Sequence, residues 1–297
     1  MDASRKETIL DVFQDATPRS TPLMTLFSTG TAKGTVDEWV EDYQARSTTS
    51  TGKIEGADVT YDDLTQPARR NNLTQIESTN VKVSGTERAV SVVGNQDPFT
   101  YQKGKQLVGL KLQWEYSIIN AGAKISGQSG VAAGMAGIIS IVSSHATARN
   151  SGTSMSIQEI NDMVKEGFND VGIENMFDTL VCPMGIKQKI GQLTTPLTRN
   201  VDATQKKLAY EVQLLATDGG DIKIIPHQDL YNSATTPGPN VLALRIPSWQ
   251  FAWLREPAWK PLASQGDNEK GAWISEGTLR YLAERTNQFR TGYCLTG

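Results

Sequence analysis

Only two cysteines and two histidines occur in the 297 residues, and their scarcity removes several kinds of chemistry at once. Cys182 and Cys294 form no CxxC pair and have no metal-ligand spacing, so neither a disulfide framework nor a zinc site is encoded, and both read as free thiols. His145 stands alone; His227 lies in Pro226-His227-Gln228-Asp229, where two potential ligands on one short segment are too few for a metal or an acid–base pair. That segment reads as a polar loop after a strand. Neither a GxSxG elbow nor a cysteine-nucleophile signature is present. The glycines at 127, 130, 134 and 137 spell neither GxGxxG nor GxxxxGK[ST], so no phosphate cradle and no cofactor is expected. Positive charge is not in surplus. With 29 Lys and Arg against 32 Asp and Glu, a net charge of −3 argues against a protein that wraps nucleic acid by neutralising phosphates. Long apolar runs are also missing: Val131 to Val142 is far shorter than the roughly 20 residues a spanning helix needs, so no membrane partner is expected. Within it, the GxxxG spacing of Gly130 and Gly134 reads as a mark of close packing. The opening MDASRKETIL is not a secretory signal, and the chain is expected to be made in a cytoplasm and to stay soluble.

What is present is a globular composition, 38% hydrophobic and 21% charged, suited to one large domain or two smaller ones. The stretch Asp97 to Gly122 has both ends of a long helix written into it. Asp97 caps, Pro98 suits the first helical position, and Gly122 is expected to end the helix in the left-handed conformation. Leu107, Leu110, Trp114, Ile118 and Ala121 form the buried stripe of a rod roughly 36 Å long. Gly104 and Gly109 interrupt it and are expected to let it bend.

Around this rod, residues 1–33 read as a short helix and an extended arm carrying a small apolar cluster of Leu23, Met24, Leu26 and Phe27. Residues 34–80 read as a long two-stranded ribbon with a polar tip, marginal by itself and therefore expected to lie on a neighbour. A Ser/Thr/Asn-rich loop should run to Thr153. Ser156 then opens a second helix with Glu159 in a capping box and Ile160, Met163, Val164 and Phe168 buried. Asp178 to Cys182 reads as a buried strand, Pro183 to Ile190 as a short helix, and Tyr210 to Pro226 as a hairpin turned by Asp218-Gly219-Gly220. After a loop at Asn232 to Pro239 come VLALRIP, then WQFAWL with Trp249, Phe251 and Trp253 on one face, a polar connection KPLASQGDNEKGAW, and GTLRYLAERT. Strands returning after an inserted unit imply a discontinuous domain. The clusters Asp37/Glu38/Glu41/Asp42 and Asp58/Asp62/Asp63 resemble a glycosidase pair only in residue type; carboxylates this close in sequence read as solvated faces.

This order of elements resembles a tailed-phage major capsid protein of the HK97 fold, and more narrowly the SU10-type major head protein family. The resemblance is carried by Trp39 with Asp42, Glu55-Gly56, Asn71 with Thr74-Gln75-Ile76, and Val83-Ser84-Gly85-Thr86; Ala263, Gly266-Asp267 and Glu276 with Thr278-Leu279 follow in the C-terminal third. It covers about nine tenths of the chain. It implies an α+β, HK97-like capsid fold: an arm (1–33), an extended loop (34–80), a peripheral domain (81–175 and 240–297) holding the spine helix (97–122), and an inserted axial domain (176–239). It implies hexamers and pentamers of the chain closing into an icosahedral shell around double-stranded DNA without sequence-specific contact. A portal, a decoration protein and, since no helical pro-region precedes the arm, a separate scaffolding protein are the further partners implied. The expected localisation is the virion, after a stage in the host cytoplasm. Contacts between subunits are expected from Leu23, Phe27, Trp39, Tyr43, Glu55, Asp58, Asp62, Asp63, Arg69 and Arg70. Two other readings stay open: a related HK97-fold compartment enclosing cargo enzymes, and a soluble carbohydrate-active enzyme.

Overall fold

A computed structural model describes residues 20–44, 47, 50, 52–58, 66–90, 97–194, 214–231 and 240–294, the side chains of 149–154, 194, 231 and 294 excepted. The elements in chain order are α1 (Pro22–Leu26), β1 (Ser28–Thr31), β2 (Val36–Glu41), β3 (Ala68–Leu73), β4 (Gln75–Ser84), α2 (Gly85–Ala89), α3 (Pro98–Asn120), α4 (Ile138–Ile141) and β5 (Ala146–Ser154). They continue with α5 (Ile157–Val171), β6 (Thr179–Cys182), α6 (Met184–Thr194), β7 (Leu214–Thr217), β8 (Gly220–Pro226), β9 (Val241–Leu244), β10 (Trp249–Leu262), β11 (Asn268–Tyr281) and β12 (Gln288–Cys294).

Helix α3 begins as its sequence dictates: the Asp97 carboxylate accepts from the Phe99 N–H at 3.2 Å and the Thr100 hydroxyl at 2.5 Å, the latter bond chiefly lowering its pKa. Its end differs from expectation. Ala121 leaves the helix at φ −56°, ψ 137°, and Gly122 is not left-handed. The reason lies in the next segment, where the Gly137 N–H reaches the Ala121 carbonyl at 3.2 Å and so satisfies the helix end without a glycine cap. A Cβ on Gly137 would sit 2.8 Å from both the N and the O of Ala121, so this is the glycine that permits close packing. Gly130 instead turns the chain at φ 82°, and Gly134 meets nothing nearer than 3.8 Å. On the buried face Leu110, Trp114 and Ile118 lie in the core with Ile119 and, unexpectedly, Glu115, while Leu107 and Ala121 are half-buried.

Among the described residues the strands form three sheets. The first has the order β1-β10-β11-β4. Helix α3 lies on it through the Trp114 indole N–H, which donates to the Ser275 hydroxyl at 2.8 Å, and the Trp273 indole N–H, which donates to the Lys103 carbonyl at 2.9 Å. Trp249, Phe251 and Trp253 do share a face, and Trp114 meets Phe251 and Trp253 edge-on at 5.1 and 5.5 Å between centroids. The polar connection between these strands shrinks to 263–267, because Lys260 to Leu262 pair with Ala272 to Lys270. Pro257, which has no N–H to donate, falls in the register break between Arg255 and Ala258.

The second sheet pairs only β2 with β3, from Val36 opposite Leu73 to Glu41 opposite Ala68. The return strand is thus two elements. Thr74 is the joint: its N–H donates to the Thr35 carbonyl at 2.9 Å and its hydroxyl to Glu276 at 2.9 Å, after which β4 joins β11 and alternates Thr79, Val81 and Val83 inward.

The third sheet has the order β5-β12-β9-β6-β8-β7. The inserted unit expected at 176–239 is therefore not closed on itself, since β6, whose four residues are all buried, needs a partner on each edge and takes β9 on one of them. The loop expected before Thr153 is strand β5, drawn into the ladder by parallel pairing with β12. Strand β9 divides the molecule: Leu242 and Leu244 face the core built on α3, while Val241 and Ala243 face the core built on α5 and α6. In α5 the Ser156 hydroxyl accepts from the Glu159 N–H at 3.2 Å as expected, but Phe168 is half exposed. Gly167 takes its place in the buried row, because a Cβ there would lie 2.8 Å from the Met176 side chain. Residues 1–19, Tyr210 to Gln213 and the loop 232–239 lie outside the described residues.

Candidate assembly surfaces

The ribbon springs from a dense polar joint. Asp37 forms a two-point ion pair with Arg280 at 2.8 Å per bond. Glu41 holds Arg70 at 2.8 Å and accepts the Glu284 N–H at 2.9 Å, and the bond from Glu41 is the main cause that raises the Arg70 pKa. Arg69 pairs with Glu38 at 2.6 Å on the exposed side. Trp39 meets Tyr281 edge-on at 4.9 Å, and burial pushes the Tyr281 phenol up. Tyr43 donates to the Asp170 carbonyl at 3.3 Å, and the Arg285 guanidinium lies 4.0 Å over its ring. A cleft of about 570 Å³ opens beside this joint, between Tyr43, Phe168 and Arg245. The carboxylates of this joint are used in pairing: Asp37 faces Arg280, Glu41 faces Arg70 and the Glu284 N–H, and Glu38 faces Arg69.

The tip has the opposite character. Glu55 and Asp58 are exposed, Gly56 turns the chain at φ 81°, and Ile54, just before Glu55, is 84% exposed. Asp62 and Asp63 lie outside the described residues. The sequence signal for Ile54 is weak, an aliphatic side chain set among charged and small residues of a polar tip.

The expectation for Leu23 and Phe27 is corrected. Leu23 is fully buried and Phe27 stacks on Trp249 at 5.9 Å, so both lie in the chain's own core and have no surface left for a neighbour. His227 follows strand β8 as expected, but not as an exposed loop residue. It is buried, with its Nε2 2.9 Å from Glu115 Oε1, because helix α3 passes over the end of β8. On the outer face of α3, Gly109, Leu112, Gln113 and Tyr116 with Glu77 line a shallow groove of about 450 Å³. Cys182 is a buried free thiol whose pKa burial raises to about 12.

A family model described as SU10 major capsid protein matches residues 2–292. The chain belongs to the SU10 major capsid protein family. It is a major capsid protein of a bacteriophage virion, with a structural role, and such chains assemble into a shell. The solved structures agree on an HK97-like fold. The capsid of Myoviridae phage XM1 matches at TM-score 0.65 and 10% identity, covering 96% of each chain. A chain from Gordonia phage Cozz matches at 0.64 and 10% identity over 97% of this chain and 91% of that one. The SrpI encapsulin of Synechococcus elongatus PCC 7942 matches at 0.64 and 11% identity over 98% and 94%. No curated protein matches the sequence. Among the described residues no helix is long and apolar enough to cross a membrane.

Proposed function

We propose that the family's subunit here closes into hexamers and pentamers, and these into an icosahedral shell enclosing double-stranded DNA, with no catalytic activity of its own. Heterologous contacts close into rings, and many modest interfaces per subunit make the particle stable through multivalency. The observation that carries the reading is the ribbon: a rigid, ion-paired base and a tip whose described residues 52–58 are all exposed, Ile54 at 84%. The tip residues Glu55 and Asp58, with Asp62 and Asp63 beyond them, make the contacts to a neighbour, and Trp39, Tyr43, Arg69 and Arg70 aim the ribbon. The peripheral domain is 81–175 with 240–297 and the axial domain 176–239, the six-stranded sheet joining the two through β5, β9 and β12. A net charge of −3 suits DNA that is contained rather than bound, with portal, scaffolding and decoration proteins as the other partners and the host cytoplasm as the place of assembly.

Deleting 52–63 tests this. The expected product is a folded subunit that forms no particles by negative-stain microscopy, and normal particles would overturn the role of the ribbon. The encapsulin match supports a second reading, a compartment for cargo protein. Nuclease-protected DNA inside purified particles favours the first reading; co-purifying enzyme without DNA favours the second.

A further inference from the structure

Helix α1 starts with Pro22, and its N-cap residue Thr21 makes no side-chain capping bond. The first free N–H groups of a helix need an acceptor, and here it arrives from the spine. The Leu23 N–H donates to Glu115 Oε1 at 2.7 Å and the Met24 N–H donates to Oε2 at 2.9 Å. Glu115 is fully buried, and an isolated buried carboxylate is costly unless every lone pair is used. The third donor is His227. The Asp229 N–H donates to its Nδ1 at 3.1 Å, which leaves the ring proton on Nε2, facing Glu115 Oε1 at 2.9 Å. Asp229 Oδ2 stands 3.8 Å from the same Nδ1, and Asn120 of α3 donates to the Asp229 carbonyl at 3.2 Å. Three segments far apart in sequence, the arm, the spine helix and the end of β8, therefore meet on one carboxylate.

We propose that Glu115 is the positioning residue of the N-terminal arm, and that His227 makes this anchor conditional on the seating of the six-stranded sheet against the spine. Leu23 and Phe27 supply apolar burial without direction; the two N–H bonds to Glu115 fix the angle at which α1 leaves the body. Glu115→Gln leaves at least one of the three donors unpaired in either amide orientation. With its oxygen in the Oε1 position it still accepts from Leu23 and His227, but the NH₂ group then faces the Met24 N–H; flipped, the oxygen serves Met24 alone and the NH₂ group faces the other two donors. The ring cannot switch tautomer to accept from it, because the Asp229 N–H already occupies Nδ1. The role in assembly rests on the proposed function, since it assumes that subunits close into a shell only when α1 is seated on the body.

The test is hydrogen exchange on the full chain, read on the peptide spanning residues 20–27 with the β9 peptide as internal reference. Glu115→Gln and His227→Leu are expected to speed exchange of this peptide about five- to tenfold, at Met24 first in Glu115→Gln, with β9 unchanged. His227→Gln, whose amide N–H can still donate to Glu115, is expected to stay near wild type. Unchanged protection in Glu115→Gln overturns the anchor, and so does unchanged protection in His227→Leu; if His227→Leu does not fold, a His227→Gln protein that exchanges as fast as Glu115→Gln overturns the role of His227. Faster exchange in Glu115→Gln together with normal particle yield supports the anchor and instead overturns the arm as an assembly element.

Discussion

The contact between Gly137 and the end of the spine helix offers a prediction whose sign is opposite at Gly104, inside that helix. A Cβ at Gly137 meets the Ala121 N and O at 2.8 Å and the Ser117 O at 3.0 Å. These are backbone atoms of a helix terminus that cannot swing aside, so Gly137→Ala must push α4 away and stretch the 3.2 Å bond from the Gly137 N–H to the Ala121 carbonyl. Overpacking of this kind costs about 1–3 kcal/mol. Gly104 lies in the helix interior with nothing within 4 Å of the Cβ position, so Gly104→Ala should stabilise by about 1 kcal/mol through helix propensity alone. An unfolding entropy of about 0.6 kcal/mol/K for this chain length converts these to a Tm lower by about 2–5 °C and higher by about 1.5 °C. Urea denaturation and calorimetry of the unassembled subunit measure both. A Gly137→Ala protein with wild-type stability would refute the close approach, and a destabilised Gly104→Ala protein would mean that the helix needs its flexibility to fold. In assembled shells, Gly104→Ala with Gly109→Ala should narrow the range of spine curvature among subunits; an unchanged range in a high-resolution map removes the bending role.

Trp114→Ala should cost about 3–5 kcal/mol in urea denaturation, because it empties the aromatic cluster and orphans the buried Ser275 hydroxyl, whereas Trp114→Phe should cost about 1–3 kcal/mol. Cys182 gives a pH dependence. Its folded pKa, near 12, lies above the unfolded thiol value of about 8.5. Its contribution is therefore complete below about pH 8.5 and falls by about 1.4 kcal/mol per pH unit above it, where the unfolded state releases the proton first. Cys182→Ala should flatten that alkaline slope, and native Cys182 should resist a thiol reagent at pH 8 until the chain unfolds.

Helix α3 was legible from its first residues, since capping by Asp97, Pro98 at the first turn and the spacing of Leu110, Trp114 and Ile118 act within a few residues of one another. The capping of α5 by Ser156, the hairpin turn at Gly219-Gly220 and the tryptophan face of β10 were legible for the same reason. The sequence by itself thus determined the local elements, the order of arm, ribbon, spine and inserted strands, and with that order the family. Tertiary structure decided what depends on partners distant in sequence. Strand β5 exists because β12 lies beside it, β4 leaves the ribbon because β11 offers a longer ladder, and Gly122 is spared its cap because Gly137 returns to the helix end. Glu115 is the sharpest case. On the helix alone it looks like a solvated charge beside Trp114, and only the fold brings the Leu23 and Met24 amides and His227 to it, because desolvating a carboxylate is tolerable solely where donors from elsewhere in the chain converge.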